Sequence, residues 1–146
     1  MNRTNMEEIF GGCISSYTRK QAIEDGVLID VSQTADEAGF KWPVAVTSAV
    51  HDRYIMVPDE LVDQQNAGGR LWDILWMLWV TIRTGKISGD QGEFKLLVRF
   101  PASAEWQENE TNHAEDPALR LVVLKSVCGP GDDGAACITV MMPFED

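Results

Sequence analysis

A chain of 146 residues with 23 Asp and Glu against 12 Lys and Arg carries a formal charge of -11, yet 45% of its residues are hydrophobic. The apolar fraction, with five Trp and five Phe, excludes a disordered polyelectrolyte, because such residues supply the burial that offsets chain entropy. The acidity argues against direct nucleic-acid binding, which draws on counterions released from phosphates, and the length suits a single domain spanning 1–146.

The first pattern along the chain is Thr18-Arg-Lys-Gln21, which has the form of a capping box and predicts a short helix over Arg19–Asp25. Gly26 is placed to stop it, and Val27, Ile29 and Val31 then alternate as in a strand or extended segment. Thr34 to Glu37 repeats the box, and Gly39 limits that helix to one or two turns. Pro43 suits a first helical position, so a helix is expected from Val44 to about Asp52, with Tyr54–Val57 extended after it. Pro58 to Gln64 reads as another helical turn.

The strongest helical signal is Arg70–Thr84, closed by Gly85. Leu71, Ile74, Leu75, Leu78 and Ile82 form one stripe, and Trp72, Trp76 and Trp79 widen it around the cylinder. Such a helix is expected to be buried, covered either by the rest of the fold or by a second copy in a homodimer. Its apolar run, Leu71–Ile82 with Asp73 inside it, is shorter than the ~20 residues of a membrane span.

Beyond it the period changes to two. Phe94–Phe100, Leu119–Val127 and Ala136–Met142 read as strands, the last two joined as a hairpin through Gly-Pro-Gly and Asp-Asp-Gly turn residues. The expected class is therefore α+β: a helical N-terminal part around the buried Trp-rich helix, then a three-stranded antiparallel sheet. Between the first two strands, 102–117 reads as one long acidic loop, either a solvated excursion or a binding loop.

No chemistry is spelled out. Cys13, Cys128 and Cys137 are odd in number and widely spaced, so neither a disulfide framework nor a metal site is expected. His51 and His113 read as surface residues, no phosphate-binding glycine pattern occurs, and no cofactor is implied. Tyr17, Arg19, Glu24 and Asp30 compose one polar segment dense enough for a site, although helix capping accounts for most of it. The N-terminal MNRTNMEEIFGG lacks a signal pattern, and a cytoplasmic location is expected.

Three stretches carry a resemblance: ISSYTRKQAIEDGVLIDVS at Ile14–Ser32, AGFKWPVAVTSAV at Ala38–Val50, and KSVCGPGDDG with ITVMMP within Lys125–Pro143. They resemble an uncharacterised bacterial family classed as a domain of unknown function, whose members occur on plasmids, integrative elements and phages. The resemblance implies a mobile-element accessory protein and supplies no catalytic residues.

From residue 105 to the end there are nine acids and two bases. An acidic face is drawn to basic protein surfaces, so the expected partner is a host protein with a basic surface. The expected contacts are Glu105, Glu108, Glu110, Glu115, Asp116, Asp132 and Asp133. Together with the mobile-element setting that the resemblance implies, this suggests non-catalytic inhibition of a nucleic-acid-binding defence complex, of the anti-CRISPR or anti-restriction type. Element maintenance or transfer, or an enzyme using Tyr17–Asp30, are the alternatives.

Overall fold

The computed structural model describes residues 17–87 and 89–146. Helix α1 (Arg19–Glu24) opens on the reciprocal box, with the Gln21 amide donating to Thr18 Oγ1 at 3.0 Å and the Thr18 amide to Gln21 Oε1 at 2.9 Å. Strand β1 (Leu28–Asp30) follows, then helix α2 (Ser32–Ala38). This helix starts two residues before the second box, where Asp30 Oδ1 accepts from the Ser32 amide at 3.1 Å. It ends at Gly39, whose φ of +109° is left-handed and favours glycine.

The helix expected from Val44 is instead a strand. Residues Val44–Thr47 form β2, fully buried, and pair in parallel with a strand almost a hundred residues later. Pro43 begins a strand as readily as a helix because its carbonyl still accepts, here from the Ile138 amide at 2.9 Å. Helical geometry begins only at α3 (Ser48–Val50), capped by Thr47 Oγ1. It widens at once into a π-helical turn, His51–Ile55, so Tyr54 and Ile55 are not extended. A 3-10 turn spans Asp59–Leu61.

Four further strands complete the sheet: β3 (Gln91–Arg99), β4 (Glu110–His113), β5 (Asp116–Pro130) and β6 (Ala136–Met141). The expected three-stranded sheet is thus six-stranded, in the order β1-β2-β6-β5-β3 with β4 also on β5, and the architecture is mixed α/β. Strand β5 is the spine. Along one edge it carries β3, from Leu119 opposite Arg99 to Val127 opposite Gln91. The other edge is shared, β4 pairing near Val122 and β6 from Lys125 onward. The acidic segment is therefore not one loop, since β4 interrupts it.

Helix α4 (Ala67–Arg83) starts at Asn66, whose Oδ1 accepts from the Gly69 amide at 2.7 Å. It buries Ile74, Leu75 and Leu78 in the core that Phe94, Leu96 and Val98 of β3 also enter. Arg70 ties it to β3, donating to the Arg99 carbonyl at 2.5 Å. The expectation of a helix buried all round fails: Trp72 is 39% exposed, Trp76 43% and Ile82 40%. Indoles stacked on one another shield part of their own area, so this face needs no layer above it to be partly dry.

Candidate functional site

Strand alternation decides which side of the sheet each residue faces. Glu110 sits opposite Val122 and Arg120 opposite Val98, both on the core side. The π-helical turn presents two consecutive residues, Arg53 and Tyr54, to the same carboxylate. Arg53 Nε and Tyr54 OH each lie 2.5 Å from Glu110 Oε2, while Arg53 Nη2 lies 2.9 Å and Arg120 Nη1 2.8 Å from Oε1. The Gln107 amide adds a donor at 3.2 Å.

Arg120 also donates to the carbonyls of Glu105 and Ala104, at 2.8 and 2.6 Å. Its guanidinium lies between two rings, 3.7 Å from the Trp106 centroid and 4.6 Å from that of Phe100. Asn109 Nδ2 donates to Tyr54 OH and to the Val123 carbonyl, both at 3.0 Å. Arg120 Nε and Asn109 Oδ1 are the buried side-chain polar atoms left without a partner among the described residues.

Burial by itself would raise the Glu110 carboxyl. The bonds from Arg53, Tyr54, the Gln107 amide and Arg120 outweigh it and hold the group below the usual carboxylate range. Burial, and then the bond to Glu110 and its charge, push the Tyr54 hydroxyl far above its ordinary value. At neutral pH the carboxylate is therefore charged and the phenol protonated. Neither is poised for proton transfer, which needs a pKa near the working pH. What the cluster does is pin the π-helical turn and the segment 104–110 to β5.

Beside the cluster lies a cavity of about 630 Å³ that Arg53, Met56, Phe100, Gln107, Met142 and Phe144 help to line. Its size is that of a small-molecule pocket, but Asp52 and Glu60 stand at its wall.

The seven acids expected to meet a partner are dispersed. Glu105, Glu108 and Glu115 are exposed, Glu115 in a left-handed turn residue with φ of 61°. Glu110 is enclosed as described. Asp116 Oδ1 accepts from the Ala118 amide at 2.9 Å, and its Oδ2 lies 3.7 Å from Arg99 Nη1. Asp132 accepts from the amides of Arg19 and Lys20, at 2.8 and 2.9 Å, and the bonds from Lys20 and Arg19 hold it below the usual range. Asp133 closes the β5-β6 turn on the Ala135 amide at 3.0 Å.

The polar segment is engaged piecemeal. Tyr17 OH donates to Asp25 Oδ2 at 2.7 Å, and Arg19 donates to Thr139 Oγ1 and the Ile138 carbonyl, each at 2.7 Å. Asp30 Oδ1 accepts from the Ser32 hydroxyl at 2.6 Å, and Glu24 is exposed. The four are thus bonded to different partners or face solvent. Cys13 lies outside the described residues; Cys128 and Cys137 are free thiols. Among the described residues, no three His, Cys, Asp or Glu side chains form a group able to hold a metal, and no helix is long and apolar enough to cross a membrane.

Arg53 and Tyr54 were not foreseen at this site, since Arg53 follows the end of the expected helix and Tyr54 opens a segment read as extended. The one legible signal was Arg120, a charge on the same face as Val122 and Leu124 in a strand apolar on both sides. A buried arginine demands a carboxylate.

A family described as "Family of unknown function (DUF6573)" matches residues 6–146. No curated protein and no solved structure matches the chain.

Proposed function

The chain belongs to this family of unknown function, and we propose that it is a mobile-element accessory protein that binds a host defence complex and occludes its nucleic-acid-binding surface without catalysis. One observation carries the reading: the excess acid lies on the surface, with Glu105, Glu108 and Glu115 exposed, whereas the buried ionic cluster is spent on holding the fold. A chain of net charge -11 is drawn faster to a basic groove and competes there with phosphate.

The test is retention of host proteins on the immobilised chain, with duplex DNA as competitor and the triple variant Glu105→Gln, Glu108→Gln, Glu115→Gln as control. The expected result is a nucleic-acid-binding partner that DNA displaces. Its association rate should fall in the triple variant and with added salt, which screens charges beyond ~8 Å at physiological strength. A partner held equally by the variant and indifferent to DNA would show that the acidity serves another end.

A further inference from the structure

Trp72, Trp76 and Trp79 stand at i, i+4 and i+7 of α4. Their rings stack with centroids 6.3 and 5.3 Å apart and planes within 10° and 13° of parallel. Arg83, four residues further on, closes the C-terminal end with its guanidinium 4.7 Å from the Trp79 ring. The chain itself thus shows what kind of group this ladder accepts.

At the other end, Trp72 is 39% exposed and meets no ring or guanidinium except Trp76 among the described residues. Helical side chains lean toward the N-terminus, so the residues placed to shield Trp72 within its own helix are Gly68 and Gly69. Neither has a positive φ, and a Cβ at either would meet only Asn66 Oδ1, at 3.4 or 3.5 Å. The fold does not require glycine there, and each costs the helix up to about 1 kcal/mol relative to alanine.

Asp73 adjoins the ladder and a cavity of about 470 Å³ lined also by Trp76, Met77, Leu97, Leu121 and one cation, Lys95. It forms no ion pair among the described residues. The residue is exposed, yet desolvation by its neighbours raises its carboxyl, and Lys95 of the same cavity makes no ion pair with it.

We propose that this face of α4 docks an arginine-bearing basic segment of the partner, one guanidinium stacking on the open face of Trp72 and turning its donors toward Asp73. The inference rests on the reading that the partner is basic. Arginine is specified over lysine because its planar, weakly hydrated head stacks on an indole while still donating to a carboxylate. A second copy of the chain is disfavoured as occupant, since it brings another -11 of charge and another unpaired Asp73.

The experiment follows the indole N–H resonances of the full chain at physiological salt. The probes are an alternating Arg-Ala peptide and a Lys-Ala peptide of equal length and charge. The Arg peptide should move the Trp72 and Trp76 signals and leave Trp42 and Trp106 in place, and the Lys peptide should bind more weakly. Trp72→Ala should weaken the Arg peptide roughly 3- to 30-fold, and Asp73→Asn should weaken it too. Gly69→Arg, which supplies the helix with its own guanidinium over Trp72, should block binding with the fold intact. Equal response to both peptides, movement confined to Trp42 or Trp106, or shifts that follow protein concentration alone would overturn the proposal. The two readings fail separately. If the triple acid variant loses the host partner while Trp72→Ala keeps it, occlusion stands and this docking face falls. The reverse pattern keeps the docking face and removes charge mimicry.

Discussion

Glu110 Oε1 lies 2.8 Å from Arg120 Nη1, and neither side chain has any exposed surface. In the register Glu110 faces Val122, so Arg120 is its diagonal neighbour on the same side of the β4-β5 ladder. Removing one partner of a buried pair leaves the other charge without compensation. Glu110→Gln is expected to lower stability by about 3–5 kcal/mol in urea unfolding. The double variant Glu110→Leu, Arg120→Met should lose less than the single one, because it removes the stranded charge. An unfolding midpoint for Glu110→Gln equal to that of the parent would show that the pair contributes nothing.

The same cluster sets a pH dependence. The Glu110 carboxyl is depressed in the folded chain from its ordinary value of 4.5. Its contribution is present above that value and is lost as pH falls through the lower, folded one. The Tyr54 hydroxyl is raised from 10.0, so its contribution is present below pH 10 and is lost as pH climbs toward the folded value. Stability measured against pH should fall at both ends. Tyr54→Phe should flatten the alkaline limb and also shrink the acid limb, since it removes one of the bonds that depress Glu110; an unchanged alkaline limb would assign it to other groups.

Leu75 has no exposed area, and Trp76 beside it is 43% exposed. Leu75→Ala is expected to cost about 2–5 kcal/mol through lost burial and the cavity left behind. Trp76→Ala should cost less, because much of what it removes already faces water. Paired denaturant curves decide this. A larger loss at Trp76 would mean that the ladder is covered in solution.

Gly39 combines φ of +109° with an approach in which a Cβ would lie 2.9 Å from Trp79 Nε1. Gly39→Ala is therefore penalised twice, by about 1–2 kcal/mol for the left-handed backbone and further by displacement of the indole. The expected readout is a lower melting temperature together with a shifted Trp79 indole N–H resonance. A variant as stable as the parent would count against the close packing of α2 on α4.

Local features were legible wherever a few adjacent residues supply both sides of an interaction. Thr18 and Gln21 cap α1 as read, Gly39 ends α2, and the alternation from Phe94 marks β3. The turn residues after Cys128 do join β5 to β6 as an antiparallel hairpin. The 102–117 segment was harder. Its acids look solvated one at a time, and only the arrival of Arg53, Tyr54 and Arg120 takes Glu110 out of water.

Composition and local pattern determined a folded acidic chain, the capping of α1, the glycine end of α2 and the faces of its C-terminal strands, because capping, turn formation and alternation act between near neighbours. Tertiary structure alone decided the rest. Val44–Thr47 is extended because it can bond to β6, a partner no local propensity encodes. Arg19 bonds to Ile138 and Thr139, and Asp132 caps a helix more than a hundred positions earlier. Trp72 and Trp76 stay at the surface because the core side of α4 is already filled by Ile74, Leu75 and Leu78. Hydrophobicity says that a side chain prefers to leave water; which side chains do so is settled by the geometry that the whole chain can close.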